Sequence, residues 1–117
     1  MLDAFVRDLA VTTPTEDGIR HTAASLNISV EELFIATARN IAEGYLSGRY
    51  SWQFGDEAMN RLYTAAYVRS DLCMPEFAFS VFEAFDEGEY RHSDSPELDG
   101  EPRTKALLTA LIPGSTA

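Results

Sequence analysis

"SVEELFIATARNIAEGYL", residues 29–46, is the stretch that decides the fold. Val30, Leu33, Phe34, Thr37, Ala38, Ile41 and Tyr45 recur at intervals of three and four, the spacing that gathers one face of an α-helix. Ser29 precedes the run and Glu32 stands three residues after it. In that arrangement the serine hydroxyl takes an orphan amide of the first turn, and the glutamate reaches back to the cap's own amide. A long helix running to about Gly48 is expected, and nothing in it alternates as a strand would.

Working outward, the same signals recur on both sides. Leu2, Phe5, Val6 and Leu9 give a short amphipathic helix over about residues 2–10. "TPTE", residues 13–16, predicts a second helix with Thr13 as cap, Pro14 in the first helical position and Glu16 closing the box. Ile19, Ala23 and Leu26 follow, and Asn27 suits the left-handed conformation that ends a helix. Downstream, Ser51 caps a fourth helix lined by Ala58, Met59, Leu62, Ala65 and Ala66. Gly55 in its first turn weakens it by ~1 kcal/mol relative to alanine. Pro75 opens "PEFAFSVFEAF", which is apolar around most of its circumference, as befits a helix buried on several sides. Gly88 ends it. Pro102 opens a last helix with Ala106, Leu107, Leu108, Leu111 and Ile112, and Pro113-Gly114 leaves a frayed tail from 113. The expectation is all-α: a compact single-domain bundle of five to six helices over residues 1–117, with an acidic connection at about 86–101. Its core should centre on Phe77, Val81, Phe82 and Phe85, packed by Leu33, Ile41, Leu62 and Leu108.

Composition agrees with one folded domain: 117 residues with 45% hydrophobic side chains can bury a core. No stretch is long and apolar enough to span a bilayer, and the N-terminus lacks the basic and apolar regions of a signal peptide. With one cysteine, Cys73, the chain forms no internal disulfide, and a cytoplasmic setting is expected, with Cys73 as a buried structural thiol. The net charge is −10, and residues 83–101 hold eight acids against one base. Such a field repels phosphate backbones and attracts basic proteins.

The chemistry-bearing motifs are few. Residues 20–38, "RHTAASLNISVEELFIATA", share the layout of a helix-turn-helix, but the second helix presents Glu31, Glu32, Phe34 and Thr37 where a groove reader needs bases and amides. A helical hairpin is the better reading. In the acidic stretch, setting Gly100 at position 6 of a calcium loop aligns Ser95, Glu97 and Asp99, but Ala106 then falls where a bidentate glutamate must stand. Two scattered histidines, His21 and His92, with one cysteine make a poor zinc set. There is no nucleophile elbow, phosphate loop or dinucleotide fingerprint. Neither an enzyme, nor a metal site, nor a cofactor is expected.

"IAEGYLSGRYSWQF" (41–54), "FSVFEAFDEGEY" (79–90) and "TKALLTALI" (104–112) together have a familiar layout: an aromatic helix end, an apolar helix, a carboxylate-rich loop and a short last helix. Over about residues 41–112 this resembles small acidic helical bacterial immunity proteins of the colicin D and contact-dependent-inhibition kind. The resemblance implies a stoichiometric inhibitor of a toxin nuclease. It supplies no binding residues, and the first forty residues match no family in this way.

From the residues themselves the same class follows: an acidic, non-catalytic protein that covers a basic protein partner, with no direct contact to nucleic acid or membrane. The expected contact charges are Asp86, Glu87, Glu89, Asp94, Glu97 and Asp99, with Tyr90 as an aromatic anchor among them. Tyr50 and Trp52, in the turn after the third helix, are a second candidate contact, since Tyr and Trp dominate interface hot spots. They would equally serve to plug the junction of helices three and four. Two other readings stay open: a DNA-mimic-like anti-defence inhibitor of phage or mobile-element origin, and a small adaptor or subunit of a larger complex. Oligomeric state is not legible.

Overall fold

Helix ends, each written in a few adjacent residues, divide the chain into six α-helices in a computed structural model that describes residues 2–89 and 100–112. They are α1 (Leu2–Leu9), α2 (Glu16–Leu26), α3 (Val30–Leu46), α4 (Trp52–Tyr67), α5 (Glu76–Glu87) and α6 (Glu101–Leu111). No strand occurs among the described residues. The fold is an all-α single-domain globule. No helix is long and apolar enough to cross a membrane among the described residues.

The box that begins α3 is complete: the Ser29 hydroxyl accepts from Glu32 N at 3.0 Å, and Glu32 Oε1 accepts from Ser29 N at 3.0 Å. Asn27 takes φ 59° and ψ 42°, and its amide bonds back to α2, closing a helical hairpin. The start of α2 differs from expectation. The cap is Thr15, not Thr13, and its hydroxyl accepts from Gly18 N at 3.0 Å. Two threonines flanking Pro14 offer the same capping oxygen. Starting at Glu16 puts Glu16 and Asp17 in the first turn, facing the positive helix end, and frees Glu16 to pair with Arg20 at 2.9 Å.

α3 is the axle of the bundle and touches each of the other five helices. Its buried side chains include Leu33, Phe34, Thr37, Ala38, Ile41, Ala42 and Tyr45, and it turns Glu31, Glu32, Arg39 and Glu43 to solvent. A helix packed this way is a core element whose solvent face carries three acids against one base. α1 is tied in from α4, where Arg61 Nη1 donates to Ala10 O at 2.7 Å and Leu9 O at 3.3 Å, satisfying carbonyls at the end of α1.

α5 fits between α3, α4 and α6, as a helix apolar on most sides should. The stripe it buries is Ala78, Val81, Ala84 and Phe85, and Leu33, Ile41, Leu62 and Leu108 are buried as expected. Phe77 and Phe82 are not core residues: both are half-buried, on opposite flanks of that stripe. Ala78, Val81, Ala84 and Phe85 share one arc of the helix at about 100° per residue, and Phe77 and Phe82 fall at its edges. Gly55 permits a similar approach on α4, since a Cβ there would overlap the Phe85 ring. The acidic connection also begins later than expected. Asp86 and Glu87 form the last turn of α5, and Glu101 already belongs to α6.

Candidate protein-interaction surface

The acidic segment is built from both sides of a helix end. Asp86 and Glu87 ride the last turn of α5 and are half-buried, while Glu89 follows Gly88 and is exposed. Carboxylates at a helix C-terminus face the negative end of its dipole, so their position costs free energy. Tyr90, Asp94, Glu97 and Asp99 lie outside the described residues.

α4 adds a carboxylate that the sequence did not single out. Asp56, half-buried, shares a hydrogen bond with Glu89 and lies within the field of Asp86 and Glu57. Burial, then that hydrogen bond, then repulsion from Glu89, Asp86 and Glu57 push its pKa up to about 7. One of its oxygens, Oδ1, is shut away with no hydrogen-bond partner among the described residues. Near neutral pH this group is therefore balanced between neutral and charged. It is the feature by which the structure most departs from a solvated acidic loop.

The aromatic turn has a different character. Tyr50 is half-buried, stacks on Phe54 with ring centroids 4.4 Å apart, and donates its hydroxyl to Asn40 Oδ1 at 2.9 Å. Gly44 lies under its ring, where a Cβ would overlap it. Trp52 Nε1 donates to Thr104 Oγ1 at 3.0 Å, and that hydroxyl, fully buried, donates onward to Ala84 O at 2.8 Å. This chain of two hydrogen bonds joins the start of α4 to α6 and α5. The polar atoms of Tyr50 and Trp52 are thus engaged within the fold. Tyr45 belongs to the same region: it is buried, meets Phe85 edge-on at 5.5 Å, and donates to Glu101 Oε1 at 2.8 Å. Burial and that carboxylate raise its phenol pKa well above the ordinary range.

On the flank of α5 that faces α6 an open groove of about 410 Å³ is lined by Ser80, Glu83, Glu87, Arg103, Leu107 and Leu111, among others. Leu107 is one of the few large apolar side chains left exposed. On the other flank, facing α4, four aromatic rings pack on one another: Tyr63, Tyr67, Phe79 and Phe82. No group of three or more His, Cys, Asp and Glu positioned to hold a metal ion occurs among the described residues. His21 is exposed, and Cys73 is exposed as well, not buried as expected, because it falls in the loop between α4 and α5.

Set against family models, curated proteins and solved structures, the chain matches none of them.

Proposed function

We propose that the protein is a non-catalytic acidic binding protein that neutralises a basic protein partner in the bacterial cytoplasm, as an immunity protein blocks a toxin nuclease. One observation carries this reading. Acids from two helices, Asp56 and Glu57 of α4 with Asp86 of α5 and Glu89 beyond it, gather at one end of the pair, where burial first, and then the neighbouring carboxylates, push Asp56 toward neutrality. Like charges gathered at a folding cost are relieved when a cationic surface covers them. A toxin nuclease must hold phosphates and so carries such a surface, and an inhibitor that occupies it needs no catalytic group of its own. The layout shared with immunity proteins over residues 41–112 points the same way.

The test is kinetic. The partner is captured from the native host, purified, and its association followed by stopped flow in low and physiological salt. Electrostatic steering predicts a rate lower by on the order of tenfold at the higher salt. Replacing Asp86, Glu87 and Glu89 together by their amides should weaken binding and leave the fold intact. A rate indifferent to salt, with affinity unchanged in the triple variant, would refute the proposal.

A further inference from the structure

The pairing of Tyr67 with Phe79, Tyr63 with Phe82 and Asp56 with Glu89 runs in opposite chain directions, so α4 and α5 are antiparallel along one seam. Tyr63 lies nearly flat on Phe82, with centroids 4.4 Å apart and planes 11° from parallel. Phe79 leans on Phe82 at 5.8 Å and meets Tyr67 edge-on at 6.4 Å. None of these rings belongs to the buried core: Tyr67 is 42% exposed and the other three are half-buried. Carboxylates border them. Glu76 precedes Phe79 by three residues, Glu83 follows it by four, and Asp86 follows Phe82 by four; Glu83 stands on the exposed outer face of α5, between these rings and the groove toward α6 that it also lines.

Three other described rings carry one of the chain's own cations. Arg39 stands over Phe77 at 4.9 Å, Arg49 over Tyr50 at 4.9 Å, and Lys105 near Tyr45 at 6.0 Å. Among the described residues no lysine or arginine stands over Tyr63, Tyr67, Phe79 or Phe82. α5 itself contains no base. A ring edged by carboxylates suits a guanidinium, which stacks by its plane and hydrogen-bonds by its rim.

We propose that the α4–α5 seam is where the basic partner docks, and that it recognises an arginine-bearing segment, with guanidinium groups against Tyr67 and Phe79 held by Glu76 and Glu83. This rests on the proposed function and assigns it a surface. The groove on the other flank of α5 is a poorer receptor for cations because Arg103 already stands in it. A second copy of the chain is a poor occupant too, since it would set Glu76, Glu83 and Asp86 against their own likenesses in a protein of net charge −10.

The experiment titrates ¹⁵N-labelled full-length protein with capped hexa-arginine, and separately with capped hexa-lysine, at low salt. The expected result is saturable hexa-arginine binding with its largest amide shifts around residues 63, 67, 79 and 83, at least threefold tighter than hexa-lysine. Phe79→Ala should weaken it about tenfold, and so should Glu83→Lys, whose site is exposed and places no demand on folding. Saturable binding that leaves the seam unshifted, or equal affinity for both peptides with no effect of either variant, would overturn the seam while leaving an acidic binding protein in place. No saturable binding of either peptide would overturn both readings. A homodimer in sedimentation that Phe79→Ala dissolves would overturn the seam in favour of a second copy.

Discussion

Replacing Asp56 by asparagine should steady the fold above neutral pH and flatten its dependence on pH. An ordinary aspartate titrates near 3.8, whereas Asp56 in the folded chain titrates at about 7. Between those values the folded state binds a proton that the unfolded state has released, so stability falls as pH rises. The contribution is whole below about pH 3.8 and is lost as pH climbs through about 7. Taken at face value at ~1.4 kcal/mol per tenfold, the interval would correspond to about 4 kcal/mol. Asp56 is only half-buried, and screening by water reduces that to about 1–2 kcal/mol. Asparagine keeps the shape, carries no charge and offers Glu89 an N–H donor. Urea unfolding of both proteins from pH 5 to 8.5 measures the effect. The distant acids add a slope of their own that is common to both, so the difference between the two curves reports on Asp56 together with the carboxylates beside it. That difference should open between pH 5 and 7 and level off at about 1–2 kcal/mol in favour of the variant. Parallel curves, or a wild type that gains stability toward pH 8 relative to Asp56→Asn, would refute the crowding of carboxylates at this end of α4 and α5.

Gly55→Ala separates helix propensity from packing: propensity alone gains about 1 kcal/mol, while overlap of the new Cβ with Phe85 should give a net loss of about 1–3 kcal/mol in thermal or urea melts. A variant steadier than wild type would mean that α4 and α5 are farther apart than described. Phe85→Ala should cost about 3–5 kcal/mol and Phe82→Ala clearly less, because Phe85 is buried and Phe82 half-buried. Equal losses measured by denaturant unfolding would return Phe82 to the core. Thr37 is fully buried and its hydroxyl has no hydrogen-bond partner among the described residues, so Thr37→Val should raise stability by about 1 kcal/mol; destabilisation in the same assay would point to a partner for that hydroxyl.

Local chemistry made most of the fold readable. Ser29 with Glu32, Asn27, Ser51 and Gly88 each mark a helix end through groups no more than a few residues apart, and such signals survive without knowledge of the tertiary fold. Thr13 and Thr15 show the limit. Both flank one proline, and the choice between them follows from what Glu16 does next. Periodicity could say that α5 is apolar nearly all round, but not which arc faces a core and which a seam. Ala78 and Ala84 held that information, since small side chains mark where a backbone comes closest. The polar partners of Tyr50 and Trp52 were hidden for another reason: Asn40 and Thr104 lie ten and fifty-two residues away. Asp56 likewise meets Asp86 and Glu89 only through the antiparallel pairing of α4 with α5. The exposure of Cys73 was available in principle, because it stands two residues before Pro75, which opens α5 and leaves the cysteine in the connection before it.

The bond chain from Trp52 through Thr104 to Ala84 has a further use. Gly88 sits so close to Thr104 and to the Gly100 carbonyl that a side chain there would strike the first and crowd the second. Gly88 at the end of α5 and Gly100 at the start of α6 therefore stand side by side, with the Thr104 hydroxyl bridging α6 to the Ala84 carbonyl of α5. The two helix ends close on each other like a clasp, and any residue larger than glycine at 88 would prise it open.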